Sequence, residues 1–240
     1  MRMRKKKNGE ARLAAVSDFL YKHSGEPLCD PSCVMNMSNS PVYLEIGAGK
    51  GGFACNMAKI HTGAAYFAME RVADCVVLGC EKASEMKSEG RDNLRFIIDT
   101  ADNLTKIFAP GTVDRIFLNF SDPWSKKGYA KRRLTHRRYL SLYFNLLKDG
   151  GKLTFKTDND ALFDFSLEEI GAMGLTADKL TRDLHRSEFA TDNVMTEYEK
   201  SFSDLGKNIN MLELTKPAGF EPEIPKNLQK DYDRSIYKND

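Results

Sequence analysis

VYLEIGAGKGGFACNMAKIH, residues 42–61, decides the fold. Its first five residues are an apolar run of strand length, its middle is a glycine cluster, and its end returns to helical spacing. Gly47, Gly49 and Gly52 satisfy GxGxxG at a strand-to-helix junction. Glycine is needed where the chain turns tightly and a ligand approaches the backbone. Several nucleotide folds share the pattern, and a purely structural tight turn is the alternative. GxxxxGK[ST] is absent, so the loop is not a P-loop.

The same alternation continues outward. AAYFAME (64–70), NLRFII (93–98), VDRIFLNF (113–120) and KLTFKT (152–157) read as strands. A helix is predicted from Val72 to about Ser88, and another over ALFDFSLEEIGAMG (161–174). Between the last two of those strands, Leu140, Tyr143, Phe144 and Leu147 form one apolar helix face, with Gly150–Gly151 as the stop. Strands alternating with helices imply a parallel sheet covered on both faces. Residues 175–185 and 208–216 read as two more strands, an antiparallel pair that closes the sheet. RLAAVSDFLYKH (12–23) reads as a short amphipathic helix and not a signal peptide. No segment approaches 18 consecutive apolar residues, so no membrane span is expected and a cytoplasmic location is. Five cysteines in no framework or zinc-ribbon spacing predict reduced thiols and no metal.

Charge is distributed unevenly. The formal net charge is +2, but residues 1–12 carry +5 and residues 119–138, NFSDPWSKKGYAKRRLTHRR, carry +6. Two basic patches on an acidic body suit phosphates; two solvated charge runs are the bland alternative. In the second patch one carboxylate, Asp122, precedes seven cations and stands near the single tryptophan, Trp124.

For the glycine loop the choice lies between a dinucleotide and S-adenosylmethionine. Glu45 stands two residues before the first glycine. A carboxylate there repels a pyrophosphate and attracts an ammonium or sulfonium, which favours S-adenosylmethionine. Glu70, at the end of the second strand, is placed to accept adenosine ribose hydroxyls; a helix N-terminal acid is the other reading. Thr100 and Asp102, after the third strand, would flank the adenine.

LEIGAGKGGF, IFLNFSDPWSKKGYAKRRLTHRRYL, FKTDN and TEYEKSFSDLG, in that order from residue 42 to 216, resemble the bacterial tRNA (guanine-N7-)-methyltransferase family. The basic segment is the most specific part. The resemblance implies a Rossmann-like α/β class I methyltransferase, with a mostly parallel seven-stranded sheet, helices on both faces and a C-terminal antiparallel hairpin. It implies methyl transfer from S-adenosylmethionine to a guanosine in the tRNA variable loop. It puts Glu45, Glu70, Thr100 and Asp122 at the cofactor, and Gly47, Gly49, Asp102 and Asn119 are counted with them. Lys126, Asp158, Thr196, Glu197, Tyr198 and Glu199 fall at the target nucleotide. Lys127, Gly128, Tyr129, Ala130, Lys131, Arg132 and Arg133 fall in the RNA-contacting loop. Ser125 stands where the family usually has a second proline, and Thr100 where many members have an aspartate. The implied division is a basic arm and helix at 1–30, the methyltransferase domain at 31–216 and a polar tail at 217–240, as a monomer or a homodimer.

Guanine N7 has a free lone pair, so the chemistry requires alignment and stabilisation of a cationic purine, not a strong base. Asp122 is the expected catalytic carboxylate; a turn-initiating Asp–Pro is the alternative. Asp158 reads equally as a base contact or a helix N-cap, and Trp124 equally as a stacking platform or a loop anchor. Residues 126–138 are expected to make about six phosphate contacts, with residues 2–7 as a second clamp. The rival readings are a non-catalytic RNA-binding protein on this fold, a nicotinamide-dependent oxidoreductase, and a methyltransferase with another target.

Overall fold

The computed structural model describes residues 8–203 and 205–223; the basic cluster 2–7 and the end of the tail lie outside them. Seven strands form one sheet in the order β3-β2-β1-β4-β5-β7-β6. The strands β1 (Val42–Ile46), β2 (Ala65–Glu70), β3 (Leu94–Ile98), β4 (Val113–Asn119) and β5 (Leu147–Thr157) run parallel. β7 (Asn210–Thr215) pairs antiparallel with β5, and β6 (Lys179–Thr181) antiparallel with β7. This is the parallel sheet with a closing antiparallel pair that the alternation predicts.

The central strands β1 and β2 are buried along almost their whole length because both faces of the sheet are covered. On β2, Tyr66 and Ala68 join the cluster formed with α2 (Gly52–Ile60) and α3 (Ala73–Ser88). Phe67 and Met69 join the opposite cluster, with α4 (Arg137–Leu146) and α5 (Asp160–Gly171). Each fully buried Phe or Leu contributes roughly 1.5–3 kcal/mol. α1 (Gly9–Ala15) lies on α3, where Arg12 donates two hydrogen bonds to Glu81 at 2.7 and 2.8 Å. α6 (Glu197–Ser203) lies in the connection between the last two strands.

Three boundaries differ from the sequence reading. α4 stops at Leu146, not at Gly150–Gly151: Leu147 is already extended and pairs with Val113, so β5 begins at once. The two glycines lie inside β5, where the register with β4 shifts and Gly150 takes φ 76°. The strand expected over 175–185 shrinks to three residues, because Leu184 leaves the sheet edge to pack with Ile209 and Met211. The helix expected over 12–23 ends at Ala15, since Leu20 bridges to Phe96 and Tyr21 N–H donates to the Phe96 carbonyl at 2.8 Å.

Candidate active site

The C-terminal ends of the parallel strands carry the functional side chains, as open α/β sheets generally arrange them. The loop after β1 is held from below: the N–H groups of Gly47 and Ala48 both donate to the Met69 carbonyl, at 2.9 and 3.0 Å. Glu70 ties the loop to the next element, accepting from Gly49 N–H at 3.1 Å and from Val72 N–H at 2.9 Å. Gly47 and Gly49 have φ 84° and 55°, and a Cβ on either would meet no atom within 4 Å. They leave an open cradle.

Glu45 is buried beneath that cradle. Its Oε1 accepts from Asn119 Nδ2 at 3.0 Å, while Glu45 Oε2 and Asn119 Oδ1 are buried without a hydrogen-bond partner. Burial pushes the Glu45 carboxyl up to about 7, against the lowering effects of Asn119 and Lys156. Two unsatisfied buried acceptors suit a ligand that brings donors and positive charge. Of the residues expected beside an adenine, Thr100 is exposed, whereas Asp102 is bound by the Arg138 guanidinium and by Tyr139 Oη.

β4 delivers the second set. Phe120, immediately after it, has φ 52°, and Trp124 has φ 41°; such strain in bulky residues gathers where a loop must hold an unfavoured path. Asp122 lies between them, exposed, with one oxygen 3.9 Å from Arg71. The basic loop then folds on itself. Arg133 donates to the carbonyls of Pro123 and Trp124 at 3.0 and 3.2 Å, and Arg132 lies 5.0 Å from the Trp124 ring and 4.6 Å from the Tyr129 ring. Arg137 pairs with Glu169 and Arg138 with Asp102. Of the seven cations expected to grip RNA, Arg133, Arg137 and Arg138 are thus held by hydrogen bonds or ion pairs within the protein, although Arg137 stays exposed. Lys126, Lys127, Lys131 and Arg132 are exposed too, with Arg132 lying over its two rings. Gly128 and Tyr129 are exposed beside them, and Ala130 and Ser125 belong to the same turn and its approach.

β5 and α6 bring the remaining residues. Asp158 meets Lys207 at 3.4 Å; the α5 cap is Asn159, whose side chain accepts from Leu162 N–H at 2.8 Å, so Asp158 does not cap. Thr196 caps α6 through Glu199 N–H at 2.8 Å. Glu197 is exposed and pairs with Lys82 at 2.6 Å beside Gly52. The Tyr198 ring lies 4.9 Å from Phe120 and stacks on Phe202. Glu199, by contrast, is wholly buried among donors.

The sequence reading passed over Lys156, His185 and Asn193, which surround Glu199, and Asp99, which accepts from Thr100 N–H at 2.7 Å and Asn103 at 2.8 Å. One signal was available for the first: a lysine inside a strand buried on both faces requires a partner. A cleft of about 540 Å³ lies between α2 and residues 184–194, and Lys156, Asn193 and Val194 are among its lining.

Residues 39–212 match the family described as putative methyltransferase. The chain is 43% identical over 175 residues to a tRNA (guanine-N(7)-)-methyltransferase of Lachnoclostridium phytofermentans, covering 73% of this chain and 80% of that one. It is 39% identical over 221 residues to the Mesoplasma florum protein of the same name, covering 90% and 99%. Among solved structures, the 16S rRNA methyltransferase KamB superposes with TM-score 0.55 at 11% identity, over 89% of this chain and 95% of that one. That likeness supports the fold, and the closer relatives settle the lineage: the chain belongs to the tRNA (guanine-N(7)-)-methyltransferase family.

Proposed function

We propose that this chain transfers a methyl group from S-adenosylmethionine to N7 of a guanosine in tRNA, in the variable loop. One observation carries the reading: buried Glu45 and Asn119, each with an unsatisfied oxygen, lie at the ends of the neighbouring strands β1 and β4, and the chain leaving β4 runs directly through exposed Asp122 into the exposed cations of the basic loop. Relatives named for this reaction are 39–43% identical. The catalytic unit is residues 31–216, acting in the cytoplasm.

S-adenosylmethionine supplies a methyl activated on a sulfonium. Glu45 and Asn119 would hold its cationic end, and Gly47 and Gly49 would let it approach the backbone. Glu70 retains lone pairs for ribose hydroxyls beside its two backbone bonds. Thr100 is the better-placed adenine neighbour, since Asp102 is held by Arg138. The N7 lone pair forms the new N–C bond while the C–S pair returns to sulfur, and no proton leaves N7. Asp122 provides a negative field for the purine as it becomes cationic. Lys126, Asp158, Thr196, Glu197 and Tyr198 orient the nucleotide, while Lys127, Lys131 and Arg132 hold phosphates.

The test is nucleoside mass spectrometry on unmodified tRNA incubated with S-adenosylmethionine. Wild type is expected to form 7-methylguanosine, and Asp122→Ala roughly 10²–10³ less per unit time. RNA binding without any new methylated nucleoside would overturn the assignment in favour of a non-catalytic RNA-binding protein.

A further inference from the structure

Lys156 carries a formal positive charge on a side chain that is 4% exposed. Its Nζ donates to Glu199 Oε2 at 2.7 Å, to the Val194 carbonyl at 2.9 Å and to Asn193 Oδ1 at 3.0 Å. All three acceptors belong to residues 193–199, the stretch that carries Thr196, Glu197 and Tyr198. Lys156 itself stands two residues before Asp158, at the end of β5.

Glu199 completes the arrangement from the other side. Its carboxylate, 0% exposed, receives Lys156, lies 2.8 Å from His185 Nε2, and accepts from Asn193 Nδ2 at 2.6 Å and Thr196 N–H at 3.3 Å. Burial alone would push this carboxyl up, but Lys156, His185 and Asn193 outweigh it and hold it below the usual range. Four partners occupy both oxygens of a fully enclosed group. None of its surface is open to solvent.

We propose that Lys156 is a positioning residue whose ammonium sets the geometry of residues 193–199, and that Glu199 acts through Lys156 rather than by touching the target base. This rests on the proposed reaction. A buried ion pair has a diagnostic asymmetry: losing one partner strands a charge, whereas neutralising both is tolerated far better. A residue that contacts the base has no such rescue.

The experiment is a double-mutant cycle of wild type, Lys156→Met, Glu199→Gln and the double variant. The readouts are the KM and Kd for tRNA, the Kd for S-adenosylmethionine and the melting temperature. Each single variant is expected to raise the tRNA KM and Kd more than tenfold, and the double variant to return within threefold of wild type. Glu199→Gln is expected to move the S-adenosylmethionine Kd less than threefold. A double variant that regains its melting temperature but binds tRNA no better than Glu199→Gln would overturn the proposal and make Glu199 a base contact. If the single variants do not fold, Asn193→Ala decides, since Asn193 bonds both partners: a threefold or larger rise in tRNA Kd supports the proposal, and no change overturns it. Failure of the reaction itself would show as a wild type that forms no 7-methylguanosine, and the tRNA Kd values would still judge Lys156.

Discussion

The loop after β1 takes its shape from backbone hydrogen bonds and close packing, whereas the loop after β4 takes its shape from two arginines folded over an exposed turn. In the first, Gly47 and Ala48 hang from the Met69 carbonyl, Gly51 N–H donates to the Ala48 carbonyl at 2.9 Å, and Gly51 lies against Phe96 and Gly79. In the second, Arg133 holds the Pro123 and Trp124 carbonyls, Arg132 covers Trp124 and Tyr129, and four cations face outward. A small ligand of fixed shape is met by a cavity built before it arrives. A polyanion is met by spread charge, which tolerates imprecise placement. Damage to the first loop should therefore be abrupt and structural, and damage to the second graded and salt-dependent.

Gly51→Ala is the largest break. Gly51 has φ 71°, and a Cβ there would lie 2.5 Å from Phe96 Cζ and 3.0 Å from the Gly79 Cα. Left-handed strain of about 1–2 kcal/mol adds to overpacking of about 1–3 kcal/mol. Thermal unfolding is expected to show a loss of at least about 2 kcal/mol; a smaller loss would mean that the loop is not rigidly seated.

Glu45→Gln comes next, and its sign depends on pH. The Glu45 carboxyl sits near 7 in the folded chain against an ordinary 4.5. Between those values the unfolded chain releases its proton while the folded one keeps it, so stability falls as pH rises from about 4.5 to about 7 and is level above. Affinity for S-adenosylmethionine moves oppositely, rising through about pH 7 as Glu45 ionises. The glutamine variant should flatten both trends, binding the cofactor about tenfold more weakly at pH 8 and almost as well as wild type at pH 6. Calorimetric titration at the two pH values checks this, and an unchanged pH trend in the variant would remove Glu45 from cation binding.

The basic loop predicts smaller, additive effects. The four exposed cations at 126–132, not six or seven, should set the salt dependence, with tRNA affinity falling about 10² between 50 and 200 mM salt. Lys131→Ala or Arg132→Ala should lower the slope of log affinity against log salt by about 0.7–0.9, and affinity about fivefold near 0.15 M. Arg133→Ala should leave that slope nearly unchanged, because its guanidinium is bonded to Pro123 and Trp124. Filter binding across a salt series measures all three, and an equal slope change for Arg133 would mean that the loop opens on RNA.

The same contrast explains what could be read from the sequence. The first loop is local: strand, glycines and helix follow one another, so GxGxxG and the flanking periodicity placed the fold and Glu45, Glu70 and Asp122 on one edge. The division of labour among the seven cations is non-local. Arg137 finds Glu169 and Arg138 finds Asp102 across 32 and 36 residues, and nothing near 126–138 distinguishes those arginines from Lys131. Glu199 is similar: TEYE shows an acid, but only packing brings Lys156 to it from 43 residues away. Leu147 misled for another reason. Its apolar position continues the helical period of α4, yet the demand of β4 for a partner turns the chain extended there.

Gly128→Ala is the smallest and the most informative change in the basic loop. The residue is exposed and its φ is not in the left-handed region, so a Cβ there adds no strain. In the protein alone that Cβ would meet no atom within 4 Å, and a surface change of this kind alters stability by less than about 0.5 kcal/mol. The melting temperature should therefore stay with wild type. Turnover should stay as well if the loop acts through its cations alone, because the methyl adds bulk but removes no charge. A tenfold loss of kcat/KM for tRNA, with melting temperature unchanged, would show RNA backbone closing on the chain at Gly128. The second loop would then share one property of the first, a glycine kept for the close approach of a ligand.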